Sequence, residues 1–370
     1  MPVMERVYLD WNATARPLDE AIAAMADAAR DAWGNPASIH ASGRAARARV
    51  EDAREAVAEL MGADPRDVVF TSGGTEANNL AVRSASGTIA TSRIEHASIV
   101  RAAELLEREG RARVRWLRVK EDGTVDLADL EAALSEGARF VAMMAVNHET
   151  GVVQPVDDAI AMAHRAGARV HVDAVQAIGK IATLGAAADT RSVAAHKFRG
   201  PKGIGALVTR PGARVEPVVV GGSQERGVRP GTLDPVTAAG FAVAARHART
   251  SPERYRAVGA LRDELERALL ATLPGAKVNG GAPRAPHALS LAFPGWSGPE
   301  LVAALDLEGV SVSAGSACSA GTAEPSPVLA AMFGDDARTT SSVRFSLGET
   351  TTRDEIERAV RAFARVVARR

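Results

Sequence analysis

Short apolar runs alternate with longer helix-compatible stretches along most of this chain. Residues 68–70 and 140–146 are uninterrupted apolar runs typical of buried strands, whereas apolar side chains recur every three or four residues between Arg44 and Gly62. The second pattern predicts an amphipathic helix, and Gly62 suits its end because glycine readily adopts the left-handed backbone conformation there. Repeated alternation of strands and helices predicts an α/β fold with a mainly parallel sheet.

The alternation becomes looser after residue 249, where Thr250-Ser251-Pro252-Glu253 has the composition of a boundary. Beyond it we expect a helix over about 254–273, several short strands, and a last helix that opens with the capping box Thr352-Arg353-Asp354-Glu355. A chain of 370 residues also exceeds the size at which one hydrophobic core usually stops growing, about 250–300 residues. We therefore predict a large domain over 13–249 and a smaller α+β domain over 250–370, which the segment 1–12 joins.

Charge and composition exclude several classes of protein. Lysine plus arginine and aspartate plus glutamate each total 45, so the formal net charge is zero and no overall field favours direct binding to nucleic acid or to an anionic membrane. No run of about 18 uncharged apolar residues is present, and no apolar signal region follows Met1, so we expect a cytoplasmic protein without a membrane anchor. The single cysteine, Cys318, excludes an intrachain disulfide framework and a cysteine-cluster metal site.

One lysine stands in a setting that suits chemistry. Only five of the 45 basic residues are lysines, and Lys197 follows His196 at the end of the apolar run 192–195, just before a glycine-rich stretch. Arginine cannot form an imine and is effectively never deprotonated, so the rare lysine is the candidate. On its own, the stretch is explained equally well by a lysine in a turn between two strands.

Other polar features also fall at the ends of predicted strands. Gly73-Gly74-Thr75 follows residues 68–70 and opens a helix, so its free N–H groups and the threonine hydroxyl suit an anion. His96, Asn147 and Asp173 each follow a predicted strand, and ligands of open α/β sheets bind at the carboxyl ends of strands. Taken singly, each feature has a structural alternative as a turn, a helix cap or an ion pair.

Together, these features meet the needs of one cofactor. Pyridoxal 5'-phosphate requires an amine for a Schiff base, a carboxylate for its pyridine nitrogen, an anion site for its phosphate and a flat group over its ring. Groups of these kinds are supplied by Lys197, by Asp173 24 residues earlier, by Gly73-Gly74-Thr75 and by His96. The sequence therefore predicts a pyridoxal-phosphate site.

The ordered set of motifs resembles the cysteine desulfurases, pyridoxal-phosphate enzymes of fold type I that convert L-cysteine to L-alanine and a persulfide. The resemblance extends from Tyr8 to Gly348 and implies a large domain built on a mainly parallel seven-stranded sheet flanked by helices. The blocks that carry it are Gly34-Asn35-Pro36-Ala37-Ser38, Thr71-Ser72-Gly73-Gly74-Thr75-Glu76, Glu95-His96, Val172-Asp173-Ala174-Val175-Gln176, His196-Lys197, Gln224-Glu225-Arg226 and Ser313-Ala314-Gly315-Ser316-Ala317-Cys318.

The resemblance implies how the cofactor is bound. Lys197 would be the Schiff-base lysine, Asp173 would pair with the pyridine nitrogen and Gln176 with the ring hydroxyl. His96 would stack on the ring and take part in proton transfer. The phosphate would be bound by Gly74, Thr75, His196 and, from the other subunit of a homodimer, Thr232.

The resemblance also implies the course of the reaction. Asn147 and Arg344 would hold the carboxylate of L-cysteine, and Lys197 would remove its α-proton as a general base. Cys318 would attack the substrate sulfur as a thiolate, because the thiolate is the nucleophilic form. The resulting persulfide would pass to a protein acceptor for iron–sulfur cluster or other sulfur-compound biosynthesis, and the sequence does not identify that acceptor.

Alternative activities share this fold. A selenocysteine lyase or an aminotransferase keeps the cofactor site, but transamination needs no thiol, so Cys318 argues against the latter. A catalytically inactive sulfur-transfer subunit is the alternative from another class, and the joint presence of Lys197, Asp173, His96 and Cys318 argues against it.

The chain departs from the family at several places. Ala194 stands where the family usually has a serine that binds the phosphate, so cofactor affinity is expected to depend more on Thr75, His196 and backbone amides. Trp11 and His148 each stand where the family usually has asparagine. Ala15 replaces the usual threonine, and Ser223 replaces the usual glycine.

Overall fold

The computed structural model of the protein describes residues 6–182, 184–315 and 324–369, and Cys318 lies outside them. The strands in these ranges are β1 Val7–Tyr8, β2 Val68–Thr71, β3 Gly87–Ser92, β4 Ala112–Leu117, β5 Ala138–Met144, β6 Arg169–Asp173, β7 Thr190–Ala194, β8 Gly205–Thr209, β9 Lys277–Val278, β10 Ala288–Ala292, β11 Val310–Ser311 and β12 Ser342–Ser346. The helices are α1 Asp19–Asp31, α2 Ala41–Met61, α3 Gly74–Arg83, α4 Ala97–Arg108, α5 Leu127–Ser135, α6 Val156–Arg165, α7 Pro235–Ala248, α8 Ser251–Thr272, α9 Gly298–Leu307, α10 Pro327–Phe333, α11 Arg338–Ser341 and α12 Arg353–Ala368.

A seven-stranded sheet forms the centre of the larger part of the molecule, in the order β2-β8-β7-β6-β5-β3-β4. Only β8 runs antiparallel to its neighbours, so the predicted mainly parallel sheet is confirmed. In its register, Met144 of β5 lies beside Asp173 of β6, which lies beside Ser192 of β7. The carboxyl ends of these three strands therefore meet at one edge of the sheet, where α/β proteins bind ligands.

The two largest of the buried hydrophobic clusters lie in different parts of the chain. The larger core packs the central sheet against helices that include α2, α6 and α7. The smaller core gathers α8, α9 and α12 around the antiparallel sheet β12-β10-β9, and it includes Val7 and Leu9 from the start of the chain. On this basis we propose the domain division 13–249 and 250–370, with one refinement: Val328, Leu329 and Met332 of α10 pack in the larger core.

Local signals in the sequence set several helix ends. Gly62 follows α2 with φ 61°, which is the left-handed conformation expected past a helix end. Thr352 and Glu355 form both hydrogen bonds of the predicted capping box at the start of α12. Helix α8 begins at Ser251, three residues before the expected start, because the Pro252 ring suits its first turn.

The N-terminal segment connects the two cores. Strand β1 pairs with β11 of the smaller part, and Asp10 forms a bridge with Ser346 at the end of β12. The backbone N–H of Asn12 then donates to Ser346 Oγ at 2.9 Å. The segment then crosses the edge of the central sheet, where the carbonyl groups of Asn12 and Ala13 accept from Lys197 in the turn after β7.

The helices of the described ranges include none that is both long and apolar enough to cross a membrane. The same ranges contain no cluster of three or more histidine, cysteine, aspartate or glutamate side chains that could hold a metal ion.

Candidate active site

A cavity of about 290 Å³ lies between the ends of β5, β6 and β7 and the start of α3. Most of the residues that the sequence singled out line it. Those residues are Gly74, Thr75, His96, Asp173, Gln176, His196, Lys197 and Arg344, and they are joined there by Asn12, Asn78, His148 and Ala194.

Lys197 ends a single 3-10 turn, Ala195–Lys197, that directly follows β7. Its Nζ donates to the backbone oxygens of Asn12 at 2.6 Å and Ala13 at 2.9 Å. The backbone N–H of Ala15 also donates to His196 O at 2.8 Å, which ties the two segments together. The amine is therefore directed into the cavity by neutral carbonyl groups of the N-terminal segment.

Asp173 supplies a buried carboxylate to the same cavity. It is the last residue of β6, and it is 6% exposed. Its Oδ1 accepts from the backbone N–H of Val175 at 3.0 Å, and its Oδ2 accepts from the Asn78 side chain at 2.7 Å. Both donors are neutral, so a cationic ligand atom can still form an ion pair with this carboxylate.

Asn78 of α3 orients this carboxylate. Its Nδ2 donates to Asp173 Oδ2 and to Ser98 Oγ at 2.8 Å, while its Oδ1 accepts from Ser192 Oγ at 2.5 Å. The same oxygen lies 3.0 Å from His171 Nε2, so all four hydrogen-bonding positions of the amide are used. This full set of partners fixes which end of the amide faces Asp173.

His96 caps the N-terminus of α4 and adopts a defined tautomer. Its Nδ1 accepts from the backbone N–H of Ser98 at 3.1 Å, so a neutral ring carries its proton on Nε2. Burial, and to a lesser extent Lys197, lower the pKa of His96, against the opposing effect of Asp173. The His148 ring stands edge-on to it with centroids 5.5 Å apart. Burial likewise lowers the pKa of His148 well below its usual range, so both rings are neutral near pH 7.

The start of α3 forms the anion-binding end of the cavity. A Cβ placed on Gly74 would meet Val175 Cγ2 at 2.8 Å and Ala194 Cβ at 3.7 Å, so the backbone approaches its neighbours as closely as glycine permits. The first N–H groups of a helix point outward and suit an anion. His196 flanks this end, where its Nδ1 lies 3.1 Å from Thr14 Oγ1 and burial lowers its pKa to about 4.

Arg344 of β12 also lines the cavity. Its guanidinium is 2% exposed and donates to Asp10 Oδ1 at 2.7 Å and to His148 O at 2.9 Å. Its buried Nε has no hydrogen-bond partner among the described residues, and neither has Asn12 Oδ1. Buried polar atoms without partners at a cavity wall indicate that a polar ligand completes them.

Two of the expected site residues that the structure describes, Asn147 and Thr232, do not line this cavity. Asn147 uses its amide internally: Nδ2 donates to Ile94 O at 3.1 Å, while Oδ1 accepts from the backbone N–H groups of Glu149 and Thr150 at 2.9 Å. Thr232 is exposed on a surface loop at a separate cavity. Cys318 lies outside the described residues.

Sequence reasoning missed Asn78 and Asn12. One signal was available for Asn78, because it lies on the helix face shared by Ala77 and Ala81, both of which are buried. A polar residue on a buried helix face must find a partner, so its position alone indicated a polar network. Asn12 had no such signal, since its contribution is largely its backbone oxygen.

Comparisons with known proteins agree with this geometry. The Aminotransferase class-V family model matches residues 7–359. A "Cysteine desulfurase" from Cereibacter sphaeroides is 42% identical over 374 residues, which cover 98% of this chain and 96% of that relative. A solved "NIFS-LIKE PROTEIN" has a TM-score of 0.91 at 33% identity and covers 99% of this chain and 100% of its own. The solved "SspA in complex with cysteine" has a TM-score of 0.80 at 28% identity, with 93% of this chain and 99% of that chain covered.

Proposed function

The chain belongs to the Aminotransferase class-V family, within which it is a cysteine desulfurase, and from this premise we propose that it uses pyridoxal 5'-phosphate and forms a persulfide on Cys318. One observation carries the proposal. The Lys197 amine, the Asp173 carboxylate and the glycine-rich start of α3 converge on a single cavity of about 290 Å³.

The residues present fit this cofactor. The Gly74 position leaves no room for a side chain, which suits the close approach of a phosphate to the start of α3. Among the described residues, the hydrogen-bond donors to Asp173 are neutral, which suits a protonated pyridine nitrogen as its ionic partner. The phosphate would be held by Gly74, Thr75 and His196, the ring by Asp173, Gln176 and His96, and the aldehyde carbon by Lys197.

Residues of this chain bind the substrate and accept its α-proton. Bound pyridoxal phosphate withdraws electrons from the amino-acid substrate and so acidifies its α-proton. The Lys197 amine, held beside the cavity by two carbonyl oxygens, is the general base for that proton. Arg344, whose Nε is free of partners among the described residues, binds the substrate carboxylate. The amide of Asn147 bonds to Ile94 O and to the backbone N–H groups of Glu149 and Thr150, so we do not include it in the carboxylate site.

Sulfur transfer requires a nucleophile, and the sequence offers one thiol. In the proposed step, the Cys318 thiolate bonds to the sulfur of L-cysteine while the carbon–sulfur bond breaks. The carbon retains the electron pair and takes up a proton, which gives L-alanine, and the sulfur remains on Cys318 as a persulfide. The thiolate is required because the thiol is a poor nucleophile.

The experiment compares three variants by their release of alanine and sulfide from L-cysteine with a thiol reductant. Cys318→Ser is expected to bind the cofactor and yield no sulfide, and Lys197→Ala to lose the visible absorbance of the lysine-bound cofactor. Lys202→Ala is the matched control, since that lysine is exposed, and it should behave as the parent. Undiminished sulfide release by Cys318→Ser would refute the persulfide step.

The loop 221–232 supports a homodimer in which each subunit completes the other's phosphate site. Glu225 anchors this loop, because both of its carboxylate oxygens accept from Arg54, at 2.7 and 2.9 Å, and one also accepts from the backbone N–H of Phe70. These hydrogen bonds offset the conformational cost of the left-handed backbone at Glu225 and Arg226, which is about 1 kcal/mol or more at each residue. Thr232 is exposed at a separate cavity, which leaves it accessible to a second subunit.

Subunit mixing tests this arrangement. In a mixed dimer of Lys197→Ala and Thr232→Ala subunits, both defects fall in the same site, so the other site contains both native residues. Mixed dimers should recover cofactor binding at about half of the sites. Recovery no better than the average of the two parents, or a monomer with full activity in sedimentation, would contradict the shared site.

We also propose that a protein accepts the sulfur from Cys318 and that the enzyme acts in the cytoplasm. A trapped mixed disulfide at Cys318 would identify the acceptor directly.

A further inference from the structure

A second lysine is buried next to the proposed cofactor site. Lys180 is 1% exposed and is among the largest fully buried side chains of the described residues. It follows Gln176 by one turn, because the chain folds into helical turns after β6, with hydrogen bonds from Ile178 N to Ala174 O and from Lys180 N to Ala177 O. Residues 176 and 180 therefore project from the same side of this segment.

The Lys180 amine has an unusual environment. Its Nζ donates to Gln176 Oε1 at 2.6 Å, and no carboxylate of the described ranges forms an ion pair with it. Its electrostatic neighbours are cations, since Lys197 and Arg344 act on it. His287 is also close enough to be affected by Lys180, and both of its ring nitrogens lack hydrogen-bond partners in the described part of the chain. A buried amine without an anionic partner is costly, so a specific contact accounts for its presence.

That contact fixes the orientation of the Gln176 side chain. With Oε1 occupied by the Lys180 amine, Nε2 faces the other way and donates to Asn12 O at 3.0 Å. Asn12 O also accepts from the Lys197 amine at 2.6 Å. A continuous hydrogen-bonded chain thus runs from the Lys180 amine through the Gln176 amide and Asn12 O to the Lys197 amine.

We propose that Lys180 is a positioning residue that makes Gln176 present its N–H donors, rather than its oxygen, to the ligand that occupies the cavity. This inference rests on the proposed function, in which the oxygen beside Gln176 is the ring hydroxyl of pyridoxal phosphate. A deprotonated ring oxygen accepts hydrogen bonds and is repelled by a carbonyl oxygen. Without Lys180, the amide can rotate by half a turn and place Oε1 at that position, because the two amide ends are similar in shape.

The test is a double-mutant cycle on the affinity of the apo-protein for pyridoxal phosphate. Lys180→Met keeps a long unbranched side chain and removes the donor, and Gln176→Leu removes the amide. Each single variant is expected to weaken cofactor binding about tenfold, the effect of about 1.4 kcal/mol. Because Lys180 acts through Gln176, the double variant should be no weaker than Gln176→Leu alone. Additive losses, about a hundredfold in total, would overturn the proposal.

The visible absorbance of the bound cofactor is the second measurement, since a merely structural role of Lys180 would not change it. Both single variants should shift the band and its pH titration in the same direction, because both remove the donor beside the ring oxygen. An unshifted band in Lys180→Met beside a shifted band in Gln176→Leu would also overturn the inference.

A third variant keeps the test decisive if Lys180→Met does not fold. Gln176→Glu retains an oxygen for the Lys180 amine but has no donor for the cavity, so it should reproduce the loss of cofactor affinity in a folded protein. Parental affinity in Gln176→Glu would refute the role of the donor. Failure of the parent itself to bind pyridoxal phosphate would instead refute the proposed function, so the two failures are distinguishable.

Discussion

The side-chain nitrogen of Asn78 donates a 2.7 Å hydrogen bond to Oδ2 of Asp173, across the gap between α3 and the end of β6. The same amide contacts Ser98, whose hydroxyl lies 2.8 Å from His96 Nδ1. Two groups that face the cavity, a carboxylate and an imidazole, are therefore oriented by one buried residue. Neither group could be turned without breaking a bond to Asn78 or Ser98.

Replacement of Asn78 should destabilise the protein substantially. Asn78→Ala removes the hydrogen-bond partner of Asp173 Oδ2, of the Ser192 hydroxyl and of His171 Nε2, and each unsatisfied buried polar group costs about 1–3 kcal/mol. We expect a loss of about 3 kcal/mol in the free energy of unfolding by urea. Asn79→Ala is the matched control, because that neighbouring side chain is half-buried and should change stability by less than about 1 kcal/mol. Equal effects of the two variants would contradict the network.

Restoring the family's hydroxyl at position 194 should strengthen cofactor binding. Ala194 lines the cavity, and its Cβ is 3.7 Å from a Cβ placed on Gly74 at the start of α3. In Ala194→Ser, the added hydroxyl reaches the phosphate position, and one new hydrogen bond raises affinity by up to about tenfold. Ala195→Ser is the control, since Ala195 packs in the larger hydrophobic core and its hydroxyl would gain no ligand. A titration with pyridoxal phosphate measures both, and equal affinities in the parent and Ala194→Ser would disprove the prediction.

Arg344 should be required for substrate binding rather than for cofactor binding. Its guanidinium uses two nitrogens on Asp10 and His148 and keeps Nε for a ligand, and a lysine cannot reproduce this geometry. Arg344→Lys should therefore raise KM for L-cysteine about 10–100-fold, with an unchanged visible spectrum of the cofactor. Arg353→Lys, at an exposed ion pair, should keep the parental KM. A parental KM in Arg344→Lys would exclude it from the carboxylate site.

Acid stability should depend on Glu349. Burial alone would raise the pKa of Glu349, but hydrogen bonds from Arg254, Arg199 and His247 outweigh it and lower the pKa from the usual 4.5 to about 2. A carboxyl whose pKa is lower in the folded state stabilises that state above the unfolded pKa. Its contribution, about 3 kcal/mol, is complete above pH 4.5 and is lost as the pH falls towards 2.

The variant Glu349→Gln separates this group from the other carboxylates. Its unfolding free energy should be lower than that of the parent at pH 6, and the difference should shrink steadily between pH 4.5 and 2. Thermal melts across that range measure the difference. Glu264→Gln, on an ion pair with the exposed Arg353, is the control and should differ little from the parent at any pH in the range. A constant difference for Glu349→Gln would show that its effect is not due to titration.

The sequence predicted those parts of the fold that depend on local patterns. The left-handed Gly62, the capping box at Thr352 and the apolar run 140–146, which overlaps β5, all follow from residue type and spacing within one element. Lys197, Asp173 and Gly74 were predicted as site residues, and they lie around one cavity because all three stand at strand or helix ends of the same sheet edge.

The contributions that sequence reasoning could not predict come from long-range partners. Lys180 was not singled out from the sequence, since its role depends on how deeply the turn after β6 is buried. The resemblance implied that Asn147 would hold the substrate carboxylate, which stays a prediction, whereas in the structure its amide bonds to Ile94 O and to the backbone N–H groups of Glu149 and Thr150. Neither the burial of a turn nor the direction of a side chain is specified by spacing alone.

The path of the N-terminal segment also constrains the order in which the protein can become active. The carbonyl groups of Asn12 and Ala13 that hold the Lys197 amine are kept in place by contacts with Ser346 and Arg344, more than 330 residues later in the chain. During synthesis on a ribosome, the central sheet is translated in full long before those partners emerge. The nascent chain can therefore fold its sheet early, while its reactive lysine gains its final environment only when the last strand has been made.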